Sequence, residues 1–211
     1  MKLPLLYPII DFASFAPAPD SFLAVSRFAE ELVRAGATLI QYRDKSSESG
    51  HILGCARELR RITRDRARLI INDYPDVCLA CEADGVHLGQ DDLSPANARN
   101  IFSAAGRPDL WIGYSTHNVD QVRLADRMPV DYIAVGPVFA TASKASPDPV
   151  IGLDGVRAAR QLTSRPLVAI GGITRQNCIE VRRAGAESLA VISDLLGPPA
   201  KAVEDFMRVL G

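Results

Sequence analysis

The stretch ATLIQYRDK, residues 37–45, runs from an apolar segment into a cluster of polar and charged side chains. Residues 37–40 form a short apolar run and predict a buried strand. Side chains alternate across a strand, so Gln41, Arg43 and Lys45 should point to the same side. Two cations and an amide at a strand's carboxyl end suit an anion, because Lys and Arg are seldom buried without a partner. The segment alone is equally compatible with a charged loop in solvent.

Similar apolar runs alternate with amphipathic helical patterns along the chain. We expect strands at 5–10, 38–42, 69–72, 85–88, 111–114, 132–135, 167–170 and 188–192. The clearest helices are expected at 22–35, 52–66, 119–128, 153–162, 176–184 and 200–210. In 52–66 the apolar side chains share one face and the arginines lie elsewhere. Asn118 and Thr174 stand where capping residues of the following helices would stand.

About eight strand–helix units with almost wholly apolar strands predict a parallel sheet that is covered on both faces. This number favours the α/β class and a closed (β/α)8 TIM barrel that forms one domain over residues 1–211. The alternative is an open doubly wound sheet, which concentrates its polar residues at one switch point. Here nearly every predicted strand ends in a polar cluster. This distribution is expected of a barrel, in which the functional loops form a ring at the carboxyl ends of all the strands.

Composition limits the classes of partner and compartment. The formal net charge is −1, which gives no indication of a nucleic acid or an anionic membrane surface as partner. No run approaches the roughly 20 apolar residues that a membrane span needs. The four cysteines do not suggest a disulfide framework, so we expect a cytoplasmic, reduced protein. Cys78 and Cys81 lie in an apolar helical stretch and are expected to pack in the core rather than to bind zinc.

Acidic residues follow two neighbouring predicted strands. Asn72 and Asp73 end the third strand, and Asp91 and Asp92 follow the fourth. Each pair alone suits a cap of the next helix. Together, at adjacent strand ends of one barrel, they favour a hard cation such as Mg²⁺, which takes few carboxylates together with phosphate oxygens and waters.

Two further segments offer donors to an anion. Thr141, Ser143 and Lys144 lie in a long polar loop, which suits either a lid over a site or a disordered surface loop. Glycines 171–172 end the seventh strand, and Ile192 and Ser193 end the eighth. Loops after these two strands of a barrel often bind a phosphate through backbone N–H groups.

Residues 113–118 end the predicted fifth strand. Ser115 there could donate a hydrogen bond to a ligand, and Tyr114, its alternating neighbour, should then face the helices. No Ser/His/Asp pattern accompanies His117, which we interpret as a hydrogen-bonded loop residue. His87 lies within a strand and is expected to be a satisfied core or barrel-lining residue.

The clusters predict a basic anion site beside a metal site, suited to a diphosphate, and a backbone cradle suited to a monophosphate. A reaction that joins a diphosphate ester to a phosphorylated acceptor fits both.

The ordered combination of motifs resembles the thiamine-phosphate synthase family over nearly the whole chain. It comprises QxRDK at 41–45, IND at 71–73, GVHLGQDD at 85–92, GxSTH at 113–117, GPVF at 136–139, TxSK at 141–144 and GGI at 171–173. The resemblance implies a transferase that condenses 4-amino-2-methyl-5-pyrimidinylmethyl diphosphate with 4-methyl-5-(2-phosphoethyl)thiazole. The products would be thiamine monophosphate and diphosphate, formed through a pyrimidine carbocation.

The resemblance also implies roles for individual residues. Gln41, Arg43, Lys45 and Asn72 would hold the pyrimidine diphosphate, Asp73 and Asp92 would hold Mg²⁺, and Ser115 would contact the pyrimidine substrate or the released diphosphate. Thr141, Ser143, Gly172, Ile192 and Ser193 would bind the thiazole phosphate, with Lys144 bridging towards the diphosphate. Arg43, Lys45, Ser115 and Lys144 would thus be the catalytic set. Ser143 replaces the family's usual threonine and keeps its hydroxyl.

Three alternatives remain open at this point. A thiazole tautomerase-like enzyme shares the fold and the phosphate cradle but does not need the metal–diphosphate cluster. A sugar-phosphate isomerase or epimerase would need a carboxylate or histidine base, and a non-catalytic barrel would bind phosphorylated ligands without turnover. The sequence does not fix the oligomeric state, although an exposed helical face would be compatible with a homodimer.

Overall fold

In a computed structural model, residues 2–16, 20–141 and 148–211 are described. Eight parallel strands in these ranges close into a barrel in chain order, from β1 to β8 and back to β1. They are β1 (Leu6–Asp11), β2 (Leu39–Arg43), β3 (Arg68–Asn72), β4 (Gly85–Leu88), β5 (Trp111–Thr116), β6 (Tyr132–Val135), β7 (Leu167–Ile170) and β8 (Ser188–Val191). The predicted TIM barrel is therefore confirmed, and the open doubly wound alternative is wrong.

A helix follows each strand in the described ranges. These helices are α1 (Ser21–Arg34), α2 (Ser49–Thr63), α3 (Pro75–Ala80), α4 (Pro95–Ala104), α5 (Val119–Ala125), α6 (Gly152–Leu162), α7 (Cys178–Arg183) and α8 (Pro199–Leu210). Short 3-10 turns occupy Phe12–Ser14 and Ser193–Leu195. Helix α2 buries Ile52, Leu59 and Ile62 against the barrel, as its periodicity predicts.

Predicted helix ends differ from the observed ones for local reasons. Helix α2 ends at Thr63, three residues early, because Arg64 leaves the helical conformation and Asp65 adopts a φ of +62°. Asn118 caps α5 as predicted, since its side chain accepts from the N–H of Gln121 at 2.9 Å. Thr174 does not cap α7. Its own N–H donates to the side chain of Asn177 at 2.8 Å, and α7 begins only at Cys178.

Alternating side chains divide the apolar residues into two layers. One layer lies between the strands and the helices and contains Tyr42 and Tyr114, so Tyr114 faces the helices as predicted. The other fills the barrel interior and includes Leu39, Ile70 and Val168. Beyond this inner layer, towards the carboxyl ends of the strands, the barrel opens into a cavity.

The four cysteines are buried and unpaired. Burial raises the pKa of the Cys81 thiol to about 11, and no disulfide joins it to Cys78. In the described part of the chain, no group of three or more His, Cys, Asp or Glu side chains is arranged to hold a metal. The predicted core role of the Cys78–Cys81 pair is confirmed. A search of the same residues for a helix long and apolar enough to cross a membrane found none.

Candidate active site

A cavity of about 480 Å³ opens at the carboxyl ends of the barrel strands. Eleven of the thirteen predicted site residues line it: Gln41, Arg43, Lys45, Asn72, Asp73, Asp92, Ser115, Thr141, Gly172, Ile192 and Ser193. The other two, Ser143 and Lys144, lie outside the described residues. The structure therefore brings the predicted clusters into one cavity, while the role of each residue stays a prediction.

Lys45 and two carboxylates form the centre of the polar side of this cavity. The ammonium of Lys45 lies 2.9 Å from Oδ2 of Asp73. The pKa of Asp73 is raised to about 6, mainly by burial and secondly by the nearby carboxyl group of Asp92. Lys45 lowers this pKa but does not offset the two other effects. A second carboxyl group so close to Asp73 disfavours its charged form, and a bound cation would relieve this.

The helix-cap interpretation of Asp73 and Asp92 is wrong. Helix α4 is capped by Ser94, whose hydroxyl accepts from the N–H of Asn97 at 3.3 Å. Helix α3 begins after Tyr74 and has no side-chain cap. Asp92 instead accepts from the N–H of Gly89 at 2.7 Å, which fixes its carboxylate at the cavity wall.

Arg43 is held at the cavity by Asp11, a partner that has no local signal in the sequence. Its Nη1 donates to both carboxylate oxygens of buried Asp11, each at 2.9 Å. The register of β1 and β2 places these two residues side by side. With Lys45, Asp73 and Asp92, the cluster contains two cations and three carboxylates, so it is net negative when all five are ionised. An anionic ligand alone would be repelled, and a cation would complement the cluster.

Asn72 carries a polar group with no partner in the described residues. Its side-chain Nδ2 is buried and makes no hydrogen bond, although the residue lines the cavity. A buried donor without an acceptor costs roughly 1–3 kcal/mol. A ligand oxygen or ring nitrogen in the cavity would satisfy this amide.

A glycine turn forms the opposite side of the cavity, after β7. Gly171 and Gly172 have φ values of +99° and +61°. A Cβ on Gly172 would lie 2.6 Å from the carbonyl oxygen of Ala140, and one on Gly171 would lie 2.5 Å from Cβ of Pro137. The turn is further fixed by Asn177, whose amide donates to the carbonyl of Gly172 at 3.0 Å. Only glycine fits this close approach of the turn to the loop after β6, so the turn can lie at the cavity with its backbone exposed, as the predicted phosphate cradle requires.

A chain of hydrogen bonds runs through the barrel interior beneath the cavity. Gln41 Nε2 lies 3.0 Å from the hydroxyl of Tyr7, which lies 2.9 Å from the hydroxyl of Tyr132. That hydroxyl lies 3.0 Å from Nδ1 of His87, whose Nε2 lies 2.8 Å from Oγ of Ser115. The interpretation of His87 as a satisfied interior residue is confirmed, and burial lowers the pKa of His87 to about 4.

His117 is a hydrogen-bonded loop residue, as predicted. Its ring Nδ1 lies 2.7 Å from the carbonyl oxygen of Gly136, and its backbone N–H donates to the side-chain oxygen of Gln121 at 2.7 Å. It also lines the cavity, where Asp148 lies 3.4 Å from Nδ1. No hydroxyl nucleophile accompanies it among these contacts.

Several residues that were not predicted to belong to the site also line the cavity, notably Tyr7, Gln90, His117 and Gln121. Tyr7 could have been found from strand alternation, because it lies on the same face of β1 as Ile9 and Asp11. Gln90 has no such periodic signal. It is positioned by its own hydrogen bond, in which Nε2 donates to the carbonyl of Ser115 at 2.6 Å.

Comparison with known proteins places this geometry in a family. Residues 7–195 match the thiamine monophosphate synthase family. The chain is 50% identical over 210 residues to the thiamine-phosphate synthase of Koribacter versatilis, covering 100% of this chain and 97% of that protein. It is 46% identical over 165 residues to that of Chloroflexus aurantiacus, covering 78% and 74% of the two proteins.

Solved structures agree with the sequence matches. The thiamine phosphate pyrophosphorylase of Pyrococcus furiosus superimposes with a TM-score of 0.83 at 32% identity, covering 98% of this chain and 95% of that one. The corresponding protein of Bacteroides thetaiotaomicron, at 14% identity and a TM-score of 0.66, shares the fold. The chain therefore belongs to the thiamine monophosphate synthase family.

Proposed function

We propose that this protein is a thiamine-phosphate synthase. It joins 4-amino-2-methyl-5-pyrimidinylmethyl diphosphate to 4-methyl-5-(2-phosphoethyl)thiazole and releases thiamine monophosphate and diphosphate. The observation that carries the proposal is the shared cavity. Its wall at β2 to β4 holds the Arg43, Lys45, Asp73 and Asp92 cluster, and its wall at β7 holds the Gly171–Gly172 turn.

Each wall of the cavity binds one of the two substrates. The diphosphate belongs at the charged cluster, where Gln41, Arg43, Lys45 and Asn72 supply donors. The thiazole phosphate belongs at the glycine turn, together with Thr141, Ser143 and the backbone of Ile192 and Ser193. The reacting carbon and nitrogen then meet between the walls, so that much of the catalysis is positioning of two bound partners.

The residues of the charged wall fit Mg²⁺. Asp73 and Asp92 are two carboxylates close enough to raise the pKa of Asp73, and they lie in a cluster with excess negative charge. Mg²⁺ usually takes one or two protein carboxylates and completes its shell with waters and phosphate oxygens. Bound there, Mg²⁺ would neutralise charge on the diphosphate. Asp73 and Asp92 would hold it.

In this reaction the main contribution of the protein is to stabilise the leaving group, which is the diphosphate. The C–O bond between the pyrimidinylmethyl carbon and the diphosphate breaks, and its electron pair leaves with the diphosphate. The aminopyrimidine ring spreads the resulting positive charge, and the lone pair of the thiazole nitrogen then forms the new C–N bond. Arg43, Lys45 and Lys144 would stabilise the departing diphosphate. Ser115 would contact the pyrimidine substrate or the diphosphate.

This sequence of steps needs no general base at the bond-forming step. The low pKa of His87 keeps its ring neutral at pH 7, and both of its nitrogens are already hydrogen-bonded. An isomerase or a tautomerase would need a free carboxylate or histidine over the substrate. The charged wall, with its net negative cluster and unsatisfied Asn72 amide, is explained by a metal–diphosphate pair and not by proton transfer alone.

The test is formation of thiamine monophosphate by purified protein with both substrates and Mg²⁺. We expect product with the wild type, and a sharp loss with EDTA or in the Lys144→Ala variant. Lys201→Ala, on the exposed face of α8, is the matched control and should retain activity. Binding of the thiazole phosphate without any product would instead favour the tautomerase-like or non-catalytic alternatives.

We propose further that the protein works in the cytoplasm, in keeping with its four buried, unpaired cysteines. Its partners are small molecules, and a homodimer stays a prediction from sequence.

A further inference from the structure

The hydrogen-bond chain beneath the cavity crosses the barrel interior and links residues from five strands. Gln41, His87 and Ser115 lie on β2, β4 and β5, while Tyr7 and Tyr132 lie on β1 and β6. Tyr7 and Tyr132 are 125 residues apart in sequence and in edge-to-face contact, with ring centroids 6.0 Å apart. Tyr132 is fully buried and does not line the cavity, so it can act on a ligand only through its neighbours.

The donors and acceptors along this chain can be assigned from one end. Nε2 of Gln41 can only donate, so the hydroxyl oxygen of Tyr7 accepts. Tyr7 is buried, so its single hydrogen needs an acceptor, which the oxygen of Tyr132 supplies; the hydrogen of Tyr132 then goes to Nδ1 of His87. A neutral imidazole whose Nδ1 accepts carries its proton on Nε2.

The assignment ends at Ser115 Oγ, which lies 2.8 Å from His87 Nε2. Because Nε2 carries the proton, Ser115 accepts this hydrogen bond. The hydroxyl hydrogen of Ser115 therefore takes no part in this chain of hydrogen bonds, and Ser115 lines the cavity. In the reverse assignment the Tyr7 oxygen accepts from both Gln41 and Tyr132, which leaves the Tyr7 hydrogen without an acceptor in this chain and commits the Ser115 hydrogen to His87.

The backbone at Gly113 leaves room for the hydrogen bond between Tyr132 and His87. A Cβ on Gly113 would lie 2.1 Å from Cζ of Tyr132 and 2.5 Å from Nδ1 of His87. Only glycine at this position lets the two side chains meet. The rings of His87 and Tyr132 are also stacked, with centroids 5.6 Å apart and planes at 27°. Burial disfavours the imidazolium, so the ring keeps one donor and one acceptor.

We infer that Tyr132 and His87 are positioning residues that orient the hydroxyl hydrogen of Ser115 into the cavity, where it donates to an acceptor atom of the substrate. This inference rests on the proposed function for the identity of the substrate, whose ring nitrogens and diphosphate oxygens are acceptors. The orientation itself is a property of the protein without ligand.

Nuclear magnetic resonance of protein labelled with ¹⁵N-histidine tests the orientation directly. The chain has three histidines, so spectra of the His51→Gln and His117→Gln variants identify the signals of His87. We expect His87 to be neutral, with a protonated Nε2 and an unprotonated Nδ1. A proton on Nδ1 would overturn the inference, because the chain would then run in the opposite direction.

Tyr132→Phe removes one hydroxyl and keeps the ring. It should let the Nδ1-protonated form of His87 appear and should lower kcat by about 5- to 10-fold, the effect of one hydrogen bond. The KM for the thiazole phosphate should stay unchanged. Unchanged His87 signals and an unchanged kcat in this variant would overturn the inference.

Two further variants separate the positioning role from a loss of packing. Tyr42→Phe removes a hydroxyl that donates to Asp44 at 3.2 Å, on the helix side of β2, and should leave the His87 signals unchanged. Tyr7→Phe keeps the Tyr132–His87 bond and should disturb the tautomer less than Tyr132→Phe. Loss of the tautomer preference in Tyr42→Phe would contradict the account.

The two proposals fail separately. Protonation of Nε2 in a protein that makes no thiamine monophosphate would support the orientation and refute the proposed function. Formation of thiamine monophosphate by a protein whose His87 carries its proton on Nδ1 would support the proposed function and refute the orientation.

Discussion

Lys45 and Asp73 form an ion pair at the cavity wall, with Nζ of Lys45 2.9 Å from Oδ2 of Asp73. In the proposed reaction the two side chains have different ligands, since Lys45 binds the diphosphate and Asp73 binds Mg²⁺. The ammonium therefore neutralises in the free protein a carboxylate that Mg²⁺ neutralises in the complex. On this account, binding of the metal frees the lysine for the diphosphate.

Asp73→Asn separates activity from stability. Asp73 is in the left-handed region, with a φ of +66°, where asparagine is readily accommodated. Its raised pKa means that the charged form is disfavoured in the folded protein, so the neutral amide should not lower the urea midpoint at pH 8. We expect about 100-fold or greater loss of synthase activity.

The control for this variant is Asp120→Asn, an exposed carboxylate in the first turn of α5. It should keep activity. A strongly destabilised Asp73→Asn, or one with nearly full activity, would count against a metal role for Asp73.

The requirement for Mg²⁺ should depend on pH. Because the pKa of Asp73 is raised to about 6, the carboxyl gains a proton as the pH falls through 6, and Mg²⁺ must then displace that proton. We expect the Mg²⁺ concentration for half-maximal activity to rise by several-fold between pH 7.5 and pH 5.5. The same half-maximal concentration at both pH values would contradict this prediction.

His87 should make the protein sensitive to acid. Its pKa is lowered to about 4 in the folded protein by burial, whereas a histidine in an unfolded chain titrates near 6.5. The unfolded chain thus binds the proton first, and stability is lost as the pH falls from about 6.5 towards about 4. Between pH 7 and pH 5 this amounts to about 2 kcal/mol.

Urea unfolding of the wild type and of His87→Gln at both pH values measures this contribution. The variant should lose about 2 kcal/mol less than the wild type over the same interval. Equal losses in the two proteins would show that His87 is not held neutral.

Gly172→Ala should impair binding of the thiazole phosphate. The added Cβ would lie 2.6 Å from the carbonyl oxygen of Ala140 at a φ of +61°, so the turn must shift. We expect the KM for the thiazole phosphate to rise about tenfold or more, with a smaller effect on the pyrimidine substrate. Steady-state kinetics with each substrate varied in turn gives both values.

Gly54→Ala provides the matched control. Gly54 lies within α2, where nothing stands within 4 Å of an added Cβ. This variant should keep both KM values and gain about 1 kcal/mol of stability from helix propensity. An equal rise of both KM values in Gly172→Ala would point to general damage to the barrel instead of a phosphate cradle.

Strand alternation explains how much of the site could be predicted from sequence. It correctly directed Gln41 and Arg43 into the cavity and Tyr114 towards the helices, because these orientations depend only on position within one strand. Lys45 also lines the cavity, although β2 ends two residues before it. Strand β4 was predicted with the bounds that the structure has, since Asp84 marks its start and Gly89 follows its end.

Contacts between strands were not predictable in the same way. The Arg43–Asp11 pair depends on the register of β1 against β2, and the Tyr7–Tyr132 bond depends on which side chains meet across the closed barrel. Neither relationship has a local signal. The cap interpretation of Asp92 failed for a different reason, because its partner is the N–H of Gly89 in its own loop and not an N–H of the following helix.

The most direct test of the account follows the phosphorus of both substrates in one ³¹P spectrum during turnover with Mg²⁺. The account predicts that the signals of the pyrimidine diphosphate ester decline while those of free diphosphate and thiamine monophosphate grow in equal molar amounts. Diphosphate release without thiamine monophosphate, or an unchanged mixture in the presence of both substrates, would contradict it.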